Sequence, residues 1–150
     1  MKTKLTKQKQ GFTIIEVMIV LAIAGLILAI VLLAVPALQR TQRNNARRSD
    51  ATHIAGIASD YVSNHGGSMP PVGALTLTGE NCSQLNSGGA TCTATVVNQN
   101  TTGHSTTTAI VDTNTSCNST TNALTNQAGS FSIVFDVEAS GGNQLVCIPG

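Results

Sequence analysis

The strongest constraint on this chain is an apolar run of 22 residues, 17–38, that contains no charged side chain. About 20 such residues form a helix that spans a bilayer. A secretory signal peptide has a shorter apolar region, roughly 7–15 residues, and a small-x-small cleavage site behind it. Neither property fits here. The run follows a short basic leader carrying Lys2, Lys4, Lys7 and Lys9, and it begins directly after Glu16. A carboxylate deep in a membrane helix costs about 2.5–3.5 kcal/mol, less near the interface. Retaining Glu16 at this place calls for a cationic partner.

The residues across this junction read Gly11-Phe12-Thr13-Ile14-Ile15-Glu16. A hexapeptide of this kind, after a basic leader and before a hydrophobic helix, resembles the prepilin signature of type IV pilins and pseudopilins. The resemblance is specific from about residue 2 to residue 36 and implies several roles. A prepilin peptidase would cut between Gly11 and Phe12, and the new amino terminus at Phe12 would be N-methylated. Glu16 would meet the N-terminal amine of a neighbouring subunit during assembly. Gly25 occupies a position where such pilins often carry glycine. Their proline follows about eight residues later, whereas here Pro36 follows eleven later, so the site of any helix bend is displaced. Beyond the helix the resemblance supplies architecture only.

Charge is segregated along the chain. All eight Lys and Arg residues lie at or before Arg48, and six of the seven acidic residues lie after it. Removal of the leader takes away four lysines and leaves four Arg against seven Asp and Glu, a net charge of about −3. An acidic exterior is a poor surface for general nucleic-acid binding. No nucleophile–base arrangement and no phosphate loop is present, so neither an enzyme nor a cofactor is expected.

The 84 residues after residue 66 are rich in Thr, Ser, Asn and Gly, with two phenylalanines and no tryptophan. A domain this small and polar needs staples. Cys82, Cys92, Cys117 and Cys147 can supply two disulfides in an oxidising compartment. Four cysteines allow three pairings. Cys82–Cys92 would close a short loop holding Gly88 and Gly89. Cys117–Cys147 would tie the C-terminal segment back across a strand, as the resemblance to pilins suggests. No spacing among Cys and His reads as a zinc site.

A long helix is expected from residue 12 to about 64, some 80 Å at about 1.5 Å per residue. Its first half is apolar all round, with Gly25 and Pro36 as weak points. Its second half is amphipathic through Ile54, Ile57, Ala58, Tyr61 and Val62. Asn64-His65-Gly66-Gly67 and Met69-Pro70-Pro71 then stop it. Strands are expected at 94–97, 107–111, 131–138 and 144–148, with Gly141-Gly142-Asn143 as a turn. In the third, Phe131, Ile133, Phe135 and Val137 alternate toward the helix, leaving Ser132, Asp136 and Glu138 to solvent. Val134 breaks that alternation and implies partial cover on the outer face.

The expected fold class is α+β: a long N-terminal helical spine packed on a small antiparallel sheet head, as in the type IV pilin fold. The segments would be a leader at 1–11, a helix at 12–65 whose part 12–38 is membrane-spanning, and a disulfide-stapled head at 66–150. Arg40, Arg43, Arg47 and Arg48 form a basic belt past the apolar run, suited to anionic headgroups or to acidic residues of neighbouring subunits, with an Arg47–Asp50 pair on the helix. DNA contact is the weaker reading, because no aromatic residues interleave the arginines. His53, His65 and His104 share no ligand spacing. Residues 112–116 begin like a calcium loop, yet Cys117 and Ala123 stand where glycine and glutamate are required. Asn-x-Ser/Thr triplets at Asn81, Asn100, Asn114 and Asn118 fit chance in such a composition, with glycosylation as a secondary possibility.

The sequence therefore leads to the expectation of a major pilin, membrane-inserted as a precursor and then assembled with copies of itself into an extracellular filament. A minor pilin, a secretion pseudopilin or a membrane-anchored adhesion module are the alternatives.

Overall fold

A computed structural model describes residues 11–77, 82–85, 92–99 and 102–150, with backbone alone at 74–77 and at 92 and 93. The element order is α1 (Ile14–Asn64), β1 (Gly73–Leu77), β2 (Cys92–Asn98), β3 (Ile110–Asn118), β4 (Ala123–Ala139) and β5 (Gly142–Pro149). The chain divides into two compact units, one running up to Gln39 and the other Arg40–Gly150. The architecture is α+β, like the type IV pilin fold.

In the first unit every residue from 11 to 39 is exposed, including the whole apolar run. Its most apolar window has a mean hydropathy of 3.2, long and apolar enough to cross a membrane. Helix α1 passes through both Gly25 and Pro36 without ending. One proline removes a single N–H donor, and the hydrogen-bond ladder resumes on either side. At the C-terminus the Gly67 N–H donates to the Val62 carbonyl at 2.9 Å, and Gly66 and Gly67 take φ of 64° and 86°. This Schellman-type closure requires the left-handed backbone that glycine adopts freely, so the helix stops where the glycines predicted.

In the second unit the five strands are ordered β1-β2-β3-β4-β5. The helix buries Arg47, Asp50, Ala51, Ile54, Ala55 and Ala58, one face at spacings of three and four. These alanines and Ile54 pack on Phe131, Ile133, Phe135 and Val137 of β4, with Val96, Val111 and Val146 beside them. The expected alternation of β4 is thus realised. Ile57 and Val62 join at the margin, while Tyr61 stacks on His65 instead, ring centroids 3.9 Å apart.

Several expectations need correction. The sheet is not wholly antiparallel: β2 and β3 run parallel, Thr95 to Asn98 opposite Ile110 to Thr113. The eleven residues between β2 and β3 are long enough for the chain to cross over rather than turn back. Strand β1 was not expected, because Pro70, Pro71 and Gly73 obscure a five-residue edge strand. The strand predicted at 107–111 begins at Ile110. Before it, Ser105 Oγ accepts the Thr107 N–H at 3.2 Å and Ser105 N–H donates to the Thr108 carbonyl at 2.8 Å, a local turn that competes with pairing. Residues 112–116, which begin like a calcium loop, lie inside β3 with Asp112 fully buried.

The outer face of the sheet is covered as well. Val134 is fully buried among Ile110 and the Cys117–Cys147 disulfide, with Val97, Leu124 and Leu145 alongside. Ser132, expected in solvent, is also fully buried and lies 2.7 Å from Thr115 Oγ1. Asp136 is half-buried beside His104, whose Nδ1 is 3.0 Å from Oδ1. The disulfide supplies apolar cover that composition alone does not reveal. Cys82 is also disulfide-bonded, but its predicted pairing with Cys92 falls on a side chain outside the described residues. The leader lysines and the triplets at Asn81 and Asn100 lie outside them too.

Candidate functional site

The peptide between Gly11 and Phe12 precedes the helix and is exposed, with Phe12 at 88%. A Cβ built on Gly11 would meet nothing within 4 Å, so the fold itself does not demand glycine there.

Thr13 caps the helix and Glu16 completes a reciprocal capping box. The Thr13 N–H and Oγ1–H both donate to Glu16 Oε2, at 2.9 and 2.8 Å. In return Glu16 N–H points at Thr13 Oγ1 at 3.4 Å. Thr-x-x-Glu before an apolar run is a sequence signature of a helix start, one that the reading of Glu16 as a misplaced charge passes over. Its consequence is physical: a carboxylate at the start of an apolar helix already holds two donors. Glu16 Oε1 takes no hydrogen bond among the described residues.

The four arginines fall into two groups. Arg40 and Arg48 are exposed. Arg43 and Arg47 converge on Glu138: Arg43 grips it through Nε (3.0 Å) and Nη2 (2.6 Å), and Arg47 through Nη2 (2.7 Å). Arg47, only 4% exposed, also donates Nε to the Thr106 carbonyl and Nη1 to Asn44 Oδ1. Paired fork contacts of this kind combine charge with fixed geometry. The Arg43 and then the Arg47 hydrogen bonds hold the Glu138 carboxyl far down, at about 2, and Glu138 in turn raises Arg43. Glu138 was expected in solvent; two arginines from the helix face cover it.

The expected Arg47–Asp50 pair gives way to these contacts. Asp50 instead accepts the backbone N–H groups of Gln84 (2.6 Å) and Leu85 (2.9 Å), with Ser83 Oγ at 3.4 Å. It pins residues 83–85 to the helix, where Leu85 is fully buried. Among the described residues no group of three or more His, Cys, Asp or Glu side chains could hold a metal ion.

The family model for the prokaryotic N-terminal methylation motif matches residues 6–32. That motif is the class III signal of type IV pilins, a class of structural rather than catalytic proteins. No curated protein and no solved structure matches the chain. The motif, together with one long apolar-headed helix and a small sheet, supports a type IV pilin-like or pseudopilin-like protein. The motif implies processing by prepilin peptidase and assembly into pilus-like filaments from a membrane-anchored precursor.

Proposed function

We propose that this chain is the major subunit of a type IV pilus. In this reading it is inserted as a single-pass precursor, cut between Gly11 and Phe12, and N-methylated at Phe12. It is then assembled with copies of itself into an extracellular filament.

The observation that carries the reading is the state of Glu16. One carboxylate oxygen is held by Thr13 and the other takes no hydrogen bond among the described residues, at the head of an exposed apolar helix. Thr13 steadies the charge while the helix is in lipid. An incoming α-amino group, with an ordinary pKa near 7.7–8.0 and so largely cationic at neutral pH, finds the second oxygen available. Thr13 lies after the cleavage point, so the capping box survives processing.

The apolar helix then exchanges lipid for the side chains of other subunits. Each buried large apolar side chain favours either location over water by about 1.5–3 kcal/mol, so the exchange is nearly balanced. A charge pair in a low-dielectric site makes wrong registers costly. Gly25 and Pro36 are the proposed points at which the helix yields if the filament bends it.

The test is mass spectrometry of filaments sheared from cells that make the protein. An abundant N-methylated peptide from Phe12 to Arg40 is the expected result. Traces of that peptide in a filament built mainly of another subunit would assign a minor pilin or pseudopilin instead. Retention in the membrane with residues 1–11 attached, while filaments form, would overturn the assembly reading.

A further inference from the structure

Among the described residues of the second unit, most charged groups are committed within the chain. Arg43 and Arg47 hold Glu138, Asp136 lies against His104, Asp50 takes two backbone N–H groups, and Asp112 is buried in the sheet. Three exposed charges, Arg40, Arg48 and Asp60, form no ion pair among the described residues. All three lie on α1.

Asp60 borders an open groove of about 240 Å³, lined by Thr52, His53, Gly56, Ile57 and Asp60. At its floor stands Gly56, in the middle of a helix that glycine weakens. A Cβ built there meets nothing within 4 Å. Among the described residues nothing fills that space, so the groove stays open beside the Gly56 backbone to an approaching side chain. A groove with a carboxylate at its edge and a glycine at its base suits a long cationic side chain, whose stem lies on the helix and whose head reaches the carboxylate.

From the complementarity of these charges we infer that the groove receives Arg48 from a second copy of this chain. Arg48 and Asp60 are twelve positions apart, about 18 Å along the helix and about 120° around it. Donor and acceptor thus occupy different faces of one helix. The contact cannot be satisfied within one copy, and between parallel helices a two-fold pair cannot close it either, because Arg48 and Asp60 differ in height by about 18 Å. It is heterologous and propagates from copy to copy. Contacts at 120° wind helices about a common axis, whereas faces at 180° would line them up in a flat ribbon. Arg40, about 200° from Asp60, is the less suited donor for that reason. The inference rests on the filament reading above and adds a second electrostatic register mark, well separated in sequence from Glu16.

The test is a charge swap in the full-length protein, scored by filament yield in the sheared fraction and by the amount of processed subunit in the membrane. Arg48→Glu and Asp60→Arg alone should each lower filament yield at least tenfold while processed subunit persists. The double swap should restore yield to within about threefold of wild type. Gly56→Leu provides an independent arm: it should leave the subunit at least as resistant to unfolding and still block assembly. Single variants that assemble normally would overturn the inference, as would a swap that fails to rescue. Rescue of Asp60→Arg by Arg40→Glu instead of Arg48→Glu would reassign the donor and overturn it too. If wild-type filaments contain none of this chain, the pilin reading itself fails, a result separate from any of these.

Discussion

Asn44 and Glu138, 94 positions apart, are joined as if by one rung of a sheet: the Asn44 Nδ2–H donates to the Glu138 carbonyl at 2.8 Å, and Asn44 Oδ1 accepts the Glu138 N–H at 2.9 Å. A helix side chain thereby satisfies both backbone groups of a residue near the end of β4. Asn44→Ala leaves those groups to find water at a half-buried place and removes an acceptor from Arg47. Breaking such a bond costs about 1–3 kcal/mol. The expected loss is about 2 kcal/mol in denaturant unfolding of the detergent-solubilised protein. Asn44→Asp should not substitute, because it lacks the Nδ2 donor.

The ion cluster beside it sets a dependence on pH. Glu138 is held at about 2, below the ordinary carboxylate value of 4.5, by Arg43 first and Arg47 second. A carboxyl whose folded pKa is depressed contributes stability that is complete above the unfolded value and is lost as pH falls toward the folded one. The contribution should therefore be constant above about pH 5 and decay between about 4.5 and 2. Glu138→Gln should be less stable than wild type at neutral pH, and the gap should close on acidification. Unfolding curves at about pH 7, 4 and 2.5 measure it. A gap that stays constant down to the most acidic of these would contradict the assigned cause.

The Cys117–Cys147 disulfide closes a separation of 30 residues and lies in the small outer core with Val134. Cross-links over loops of this size stabilise by about 2–4 kcal/mol. The double Cys117→Ser, Cys147→Ser variant should lose that amount and also leave two polar hydroxyls against Val134. Because both cysteines are less than a tenth exposed, reductant should act slowly on the folded protein and quickly in denaturant. Thiol-trapping time courses with and without urea test both statements.

Thr13 offers a way to separate processing from assembly. Thr13→Val removes the hydroxyl that caps the helix and holds Glu16, a loss of about 1 kcal/mol at the helix start. Cleavage after Gly11 should continue, and filament yield should fall. Thr13→Ser, which keeps the hydroxyl, should restore it. Equal loss of cleavage in both variants would assign Thr13 to peptidase recognition instead.

Much of this was legible in the chain because it is local or periodic. The apolar run, the junction at Gly11-Phe12, the glycine stop after Asn64 and the alternation from Phe131 to Val137 each lie within one short segment. The capping box of Thr13 and Glu16 is equally local, but the charge of Glu16 masks its second role as a helix-start residue. Strand β1 was obscured by the prolines and glycine at its start. The placement of 107–109 in a turn was decided by competing Ser and Thr side chains, which propensity weighs poorly.

By itself the sequence determined an apolar N-terminal helix, because uniform hydrophobicity over 22 residues admits few other outcomes. It also determined which face of β4 meets the helix, because side chains alternate strictly along a strand. Only the tertiary structure decided that β2 runs parallel to β3, that Val134 is sealed by a disulfide, and that Arg43 and Arg47 share Glu138 while Arg40 and Arg48 stay exposed. Each of these depends on which distant segments come together, and a charge or a half-apolar strand carries no local mark of its eventual partner.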